Sequence, residues 1–229
     1  MNDVVWTPDE ATIEHANATR LVRRAEVAGY GELVRRSQVD PEWFWPLCVD
    51  DLGLEFSRPW DRVLDDSRGP EWTTWFVGGR LNIARNCVHR WAERRPDAVA
   101  AVGLGEDGSR TTLTFAELSR DVTRLAEELA ALGVGAGDRV AIFLPMSPEV
   151  AVASHAIAHL GAVQVPVFSG FAAPAVAQRL EASEAKVVLT RRESSRRGRS
   201  VPMLSILEEA IRASGSPAQV VLAPFELDG

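Results

Sequence analysis

The sequence has very little cysteine, no long uninterrupted apolar segment and no excess of basic residues. Its two cysteines, Cys48 and Cys87, lack the paired spacing of a disulfide framework or a zinc site, which fits a reducing compartment. The most apolar stretch, residues 150–163, includes two histidines and is too short to span a bilayer. The formal net charge of −7 argues against a general nucleic-acid coat protein, whose domains are normally basic.

A signal peptide is also missing from the start of the chain. The first residues, MNDVVWTPDEATIEHAN, contain early acids and lack a basic region followed by an apolar one. We therefore expect a cytoplasmic protein with neither a membrane nor a nucleic acid as its partner. With 229 residues, of which 46% are hydrophobic and 25% charged, the chain can bury a sizeable core without disulfide or metal staples.

Tryptophan is unevenly distributed along the chain. A helix is predicted from about Pro8 to Ala28, and Asp40 followed by Pro41 predicts a capped helix start. An aromatic-rich, weakly periodic segment is typical of a chain that wraps over a neighbouring domain, with tryptophans as packing anchors. Residues 1–80 are therefore predicted to be an N-terminal cap segment, and residues 81–229 an α/β subdomain. Six of the seven tryptophans lie in the first segment: Trp6, Trp43, Trp45, Trp60, Trp72 and Trp75.

Helix and strand patterns alternate from residue 81 onward. A capping box at Thr114–Glu117 predicts a helix that ends at Gly133. The strands are nearly continuous apolar runs, as in parallel sheets buried on both faces. The sequence thus predicts an α/β fold, a mostly parallel sheet with helices on both faces, preceded by an irregular helical, Trp-rich segment. The other predicted helices lie near 83–94, 148–160, 174–183 and 205–214, and the predicted strands near 98–103, 139–144, 161–168, 186–189 and 219–222.

Three motif-like stretches do not support a catalytic or a metal site. Residues 133–138 (GVGAGD) follow a helix and precede a strand, the inverse of a dinucleotide-binding turn. His155 and His159 have no glutamate between them and no third ligand nearby, which favours packing or surface histidines. A G-x-S-x-G elbow is absent around Ser169. No catalytic residue and no metal ligand is predicted.

An arginine-rich block, RRESSRRGR, occupies residues 191–199 directly after a predicted strand. Ligands of open α/β sheets bind at such strand ends, and guanidinium groups suit phosphate oxygens. Gly198 would let backbone approach a ligand, and Phe168–Phe171 forms a second small junction at a strand end. Taken alone, the block is also compatible with a solvated loop, a nuclear-localisation signal or an RNA contact.

Several short segments follow one another in a particular order along the chain. They are WFVGGRLN at 75–82 with Asn86 and Cys87, LTFAEL at 113–118, GDRVAI at 137–142 with Pro145, Met146, Pro148 and Glu149, GAV at 161–163, FSGF at 168–171 with 175–177 and Arg179, and GRSVP at 198–202. In their joint order and spacing, over most of the chain from Trp43 onward, these segments resemble the acetyl-CoA synthetase branch of the adenylate-forming acyl-CoA synthetases.

The resemblance implies that this chain holds coenzyme A. In the family, the two arginines of an R-x-G-R loop bind CoA phosphates, and they match Arg196 and Arg199 here. Arg197 fills a position that is usually small, before Gly198. In the family's F-G-G-F loop, the glycines approach the nucleotide part of CoA; this sequence keeps Gly170 but has Ser169 at the first place.

The resemblance further implies a carboxylate, ATP and Mg²⁺ as substrates and cofactor of the full-length enzyme. No stretch of the type T-S-G-S/T-T-G-x-P-K-G, the family's ATP phosphate loop, occurs in this sequence. The leading hypothesis is therefore an N-terminal part of a short-chain acyl-CoA synthetase that contributes CoA contacts and is inactive alone. The alternative is a non-catalytic binding or assembly module on the same fold. A partial domain would expose apolar surface, so a homo-oligomer or contact with the remainder of the enzyme is expected.

Overall fold

The computed structural model describes residues 5–223, and the chain divides into two compact units, Met1–Leu81 and Asn82–Gly229. From residue 5 to Leu81, the first unit contains four short helices followed by one antiparallel strand pair with a single 3₁₀ turn between its strands. In chain order these are α1 (Glu10–His15), α2 (Asn17–Arg24), α3 (Tyr30–Val39), α4 (Pro41–Leu52), β1 (Arg62–Asp65), the 3₁₀ turn Pro70–Trp72 and β2 (Thr74–Val77).

The start of the first unit differs from the single helix predicted over residues 8–28. The chain is extended at Ala16, which separates α1 from α2. The Thr19 hydroxyl donates to the Ile13 carbonyl, so a side chain occupies an acceptor that a continuing helix would use. The predicted cap at Asp40 is confirmed, because its carboxylate accepts the Trp43 N–H at 3.0 Å and Pro41 begins α4.

Aromatic side chains pack in pairs within the first unit. Trp60 packs edge-on against both Phe56 and Phe76, with ring centroids 4.9 and 5.0 Å apart. Trp45 packs edge-on against Trp75 at 5.6 Å. Several of the predicted anchors therefore do pack against other aromatic rings. Edge-on pairs of this kind add to the stabilisation that burial alone provides.

The second unit is built on a four-stranded parallel sheet in the order β10-β7-β5-β6. Its register pairs Val140 with Val187 and Val140 with Gln164. The predicted parallel sheet is thus confirmed. The strands are β5 (Arg139–Ile142), β6 (Val163–Pro166), β7 (Val187–Arg191) and β10 (Gln219–Ala223).

Helices cover both faces of this sheet, as the apolar strands predict. On one face, Val140 and Leu189 are buried with residues of α6 (Phe115–Ala131) and α7 (Pro148–His159). On the other face, Ala141 and Val188 are buried with residues of α8 (Ala173–Ser183) and α9 (Met203–Ser214). Successive strand residues point to opposite faces, so each strand contributes to both cores.

The helix start and the helix end that the sequence predicts for α6 are both present in the structure. Thr114 and Glu117 form the predicted capping box, with reciprocal bonds of 3.2 and 2.8 Å. Gly133 has a φ of +83°, the left-handed conformation that ends α6. The predicted helix near 83–94 begins at Ile83 and includes a π-helical turn (Arg85–His89) that continues into α5 (Arg90–Arg94). In residues 5–223, no helix is both long and apolar enough to cross a membrane.

Two antiparallel hairpins differ from the simple alternation of strands and helices. The predicted strand near 98–103 is β3 (Val99–Leu104), which pairs with β4 (Arg110–Thr114) outside the parallel sheet. Thr111, Thr112 and Leu113 belong to β4, so the turn of this hairpin lies between Leu104 and Arg110. A second hairpin, β8 (Ser194–Arg196) with β9 (Arg199–Val201), lies inside the arginine block.

Candidate functional site

The candidate site lies where the parallel strands of the second unit end. Chain segments that follow β5, β6 and β7 line one cavity of about 950 Å³, together with the β3–β4 hairpin. Parallel strands have their carboxyl ends at the same edge, which is where open α/β sheets bind ligands. The cavity is lined by residues 103–107, Ser109, Thr111, residues 145–149, Ser169, Arg191, residues 193–196 and Ser200.

The arginine block forms a tight hairpin. Arg196 and Arg199 pair directly across β8 and β9, on either side of a two-residue turn. Side chains of such a pair leave the same face of a ribbon. Arg197 and Gly198 have φ values of +53° and +70°, which is the type I′ geometry that matches the strand twist. Arginine is an unusual residue at the first of these positions, where asparagine, aspartate and glycine are favoured.

Arg196 lies against the glycine junction after β6. Its guanidinium carbon is 5.0 Å from the centroid of the Phe168 ring. A Cβ added to Gly170 would overlap this guanidinium and would lie 2.7 Å from the Phe168 ring. The absence of a side chain at Gly170 is therefore what lets Arg196 lie there. Two residues that the sequence places 26 positions apart are brought together at one strand end.

The Phe168–Phe171 junction is itself an aromatic pair. The two rings meet edge-on with centroids 5.4 Å apart, and the Arg179 guanidinium lies 4.0 Å from the Phe171 centroid. Phe168 is 55% exposed. An exposed aromatic ring beside a guanidinium group offers stacking together with charge, which suits a nucleotide.

The other arginines of the block are placed differently. Arg199 is exposed and does not line the cavity, although it is the cross-strand partner of Arg196. Arg191, the last residue of β7, does line the cavity. Within residues 5–223, the guanidinium groups of Arg196 and Arg199 form no hydrogen bond and no ion pair with another side chain. They are therefore available to an anion.

Glu106, which the sequence did not single out, contacts the arginine hairpin. Its carboxylate accepts the backbone N–H groups of Arg197 at 2.9 Å and Gly198 at 3.2 Å. The Ser195 hydroxyl donates to the same carboxylate at 3.4 Å. The two backbone hydrogen bonds are the main reason that the pKa of Glu106 lies below its ordinary value. Glu106 is thus ionised at neutral pH.

Two histidines, His89 and His159, contact each other, and neither lines this cavity. His89 Nε2 and His159 Nδ1 are 3.0 Å apart, and His89 Nδ1 lies 2.8 Å from the Ser119 hydroxyl. His155 Nδ1 is bonded to the Ala151 carbonyl. Burial, followed by the neighbouring His159, holds the pKa of His89 below its ordinary value. Among residues 5–223, no group of three or more His, Cys, Asp or Glu side chains could hold a metal ion.

Two protein-family models match this chain. Residues 88–224 match the family model "AMP-binding enzyme", and residues 30–87 match "Acetyl-coenzyme A synthetase N-terminus". The chain belongs to the AMP-binding enzyme family. The resemblance to the acetyl-CoA synthetase branch, inferred above from the order of the segments, is thereby confirmed.

Individual members of the AMP-binding family show the same likeness. The chain is 38% identical to the acetyl-coenzyme A synthetase of Thiobacillus denitrificans and 39% identical to that of Mycobacterium bovis, over 90% and 91% of its own length. The acetoacetyl-CoA synthetase structure from Streptomyces lividans matches 94% of the chain with a TM-score of 0.87 and 34% identity. The chain spans about a third of these relatives, 30% of each sequence and 34% of the structure.

The predicted site residues are therefore distributed over two neighbouring elements of an AMP-binding-family fold. Gly170 lies in the junction after β6, and Arg196, Arg197, Gly198 and Arg199 lie in the β8–β9 hairpin. The structure brings Gly170 and Arg196 together, and it places Arg197 at the hairpin tip. Sequence reasoning missed Glu106, since nothing local in GEDGS indicates a contact with residues about 90 positions later.

Proposed function

We propose that this chain supplies the CoA-phosphate contacts of an AMP-forming, short-chain acyl-CoA synthetase. The observation that carries the proposal is the Arg196 guanidinium, which lies at Gly170 beside the exposed Phe168 ring and, among residues 5–223, donates no hydrogen bond to an acidic side chain. A guanidinium group presents a planar fork of donors that matches phosphate oxygens. Arg199, on the same face of the ribbon, supplies a second fork.

The reaction to which these contacts would contribute has two steps. A carboxylate oxygen attacks the α-phosphorus of ATP, and pyrophosphate leaves to give an acyl-adenylate. The thiol of CoA then attacks the acyl carbonyl, loses its proton to solvent and displaces AMP, which leaves the thioester. The residues named here act on the second substrate only. They hold the anionic end of CoA, and we assign them no part in either bond change.

Binding of CoA by the 229-residue chain tests this proposal directly. We expect isothermal titration calorimetry to show that CoA binds about tenfold more tightly than dephospho-CoA, which lacks the 3′-phosphate, since a charged hydrogen bond contributes about 1.5–3 kcal/mol. The difference should shrink as the salt concentration rises. Equal affinities for the two ligands would contradict a contact between the arginine hairpin and the 3′-phosphate.

We also expect the 229-residue polypeptide to release no pyrophosphate from ATP. The sequence contains no Ser/Thr/Gly-rich phosphate loop of the family type, so nothing in it would align the phosphates of ATP for attack. A coupled pyrophosphate assay with acetate, ATP and Mg²⁺ measures this, and a complete acetyl-CoA synthetase serves as the positive control. Pyrophosphate release that depends on acetate would show that the chain alone adenylates a carboxylate.

A further inference from the structure

The hairpin that carries the arginines has a turn that its own sequence does not favour. Both central residues of a type I′ turn have positive φ, and at Arg197 this conformation is occupied by a residue with a long side chain. A left-handed conformation at a residue other than glycine costs about 1 kcal/mol or more. The hairpin is also short, with three residues in each strand. Its shape therefore needs support from outside.

Glu106 supplies that support from the β3–β4 hairpin. Its two carboxylate oxygens accept one backbone N–H each, Oε1 from Arg197 and Oε2 from Gly198. These are the two residues with positive φ. Successive backbone N–H groups of such a turn can bind an anion through charge-assisted hydrogen bonds. Here the bound anion is the carboxylate of Glu106.

The turn that presents Glu106 is itself fixed. Asp107 accepts the Ser109 N–H at 2.9 Å, and Gly105 and Ser109 are joined by a backbone hydrogen bond of 2.8 Å. The carboxylate of Glu106 is therefore held by an ordered loop. A bond between two ordered hairpins restrains both of them.

The contact does not use the guanidinium groups as hydrogen-bond donors, although the charge of Arg196 also helps to lower the pKa of Glu106. Glu106 bonds to the backbone of the turn, and neither Arg196 nor Arg199 donates a hydrogen bond to it in the part of the chain described, 5–223. A carboxylate that served to block the site would be expected to pair with these guanidinium groups instead. This distribution of bonds favours a supporting role.

We propose that Glu106 is a positioning residue, which fixes the Arg197–Gly198 turn and thereby holds Arg196 at Gly170, ready for an anion. The assignment of CoA as that anion rests on the proposed function. The contact between Glu106 and the turn is independent of it. The test therefore uses one measurement on the hairpin itself and one on CoA.

Nuclear magnetic resonance of the whole 229-residue chain can detect the contact between Glu106 and the hairpin directly. The pKa of Glu106 is lowered, so its contact should be fully formed at neutral pH and be lost only as the pH falls through that lowered value. The amide signals of Arg197 and Gly198 should titrate with a midpoint below the ordinary glutamate value of about 4.3. In Glu106→Gln this titration should vanish.

A second signal reports where Arg196 lies. Its guanidinium is next to the Phe168 ring, so its Nε–Hε resonance should be displaced by the ring current. In Glu106→Ala we expect this resonance, assigned with Arg196→Lys, to return to the position of a solvated arginine. Glu209→Gln is the matched control, because it removes a carboxylate charge at an exposed residue of α9 that does not line the cavity.

Titration with CoA measures how the position of the hairpin affects the affinity for the ligand. We expect Glu106→Ala to weaken CoA binding by about tenfold, Glu106→Gln to weaken it less, and Glu209→Gln to leave it unchanged within about twofold. Unchanged or tighter CoA binding in both Glu106 variants would overturn the proposal, and tighter binding would mean that Glu106 competes with the ligand. If the original chain does not bind CoA, the proposed function fails. The two resonance measurements then decide alone whether Glu106 positions the hairpin.

Discussion

Replacing Phe143 by alanine is expected to lower the free energy of unfolding of the second unit by about 3–5 kcal/mol. Phe143 follows β5 and has no exposed surface. It lies in the core between the sheet and helices α8 and α9, with Val188, Met203 and Leu207. Its backbone N–H donates to the Leu189 carbonyl at 2.9 Å, so the strand pairing fixes its position and limits the collapse of the cavity.

The measurement is denaturant unfolding followed by circular dichroism, with thermal melting alongside. A loss of this size corresponds to a fall of about 10 °C in the melting temperature for a unit of this length. Val220→Ala is the matched control, since Val220 lies on the edge strand β10 of the same sheet and is 38% exposed. We expect the control to stay within about 1 kcal/mol. A loss below about 1 kcal/mol in Phe143→Ala would contradict close packing at this position.

Phe143 also illustrates what the sequence could predict. The run Arg139–Leu144 is apolar and of strand length, and the helices around it have regular apolar faces. These local patterns led to a parallel sheet with two covered faces, which the structure confirms. The capping box at Thr114 and the helix end at Gly133 could also be predicted, because each depends only on residues within one turn of helix.

The hairpins could not be predicted in the same way. The strands β8 and β9 have three residues each, contain serine and arginine, and are joined by Arg197–Gly198 instead of a strong turn pair such as Asn-Gly. What stabilises this turn is Glu106, a residue about 90 positions earlier. A contact between two distant turns leaves no periodic signal in a single sequence. The break between α1 and α2 was missed for a different reason, because the hydrogen bond from the Thr19 hydroxyl to the Ile13 carbonyl is local but leaves no trace in the pattern of apolar residues.

The candidate site was predicted in part. The position of the arginine block after a strand indicated an anion site, and the family resemblance selected Arg196, Arg199 and Gly170. The structure adds that Arg196 contacts Gly170 and Phe168, which no spacing rule would give. The roles of these residues toward CoA stay predictions, to be decided by binding experiments.

The second large effect is expected at the arginine pair. We expect Arg196→Ala and Arg199→Ala each to weaken CoA binding by about 10- to 100-fold, because a hydrogen bond to a charged group contributes about 1.5–3 kcal/mol. Arg196→Lys keeps the charge but loses the planar fork, so it should recover only part of the affinity. Arg192→Ala is the matched control from the same block, and we expect it to change the affinity by less than about threefold.

Varying the ligand as well as the arginines shows which phosphate each arginine binds. Titrating each variant with CoA and with dephospho-CoA makes a double-mutant cycle in which the 3′-phosphate is one of the two changes. An arginine that binds this phosphate should lose most of its effect when the phosphate is absent, whereas an arginine that binds the pyrophosphate should keep its effect. Because Arg196 and Arg199 are cross-strand neighbours, we expect any phosphates that they bind to lie close together. If neither substitution weakens binding of either ligand, the arginine hairpin is not the CoA site, and the Phe168 junction would have to bind the nucleotide without it.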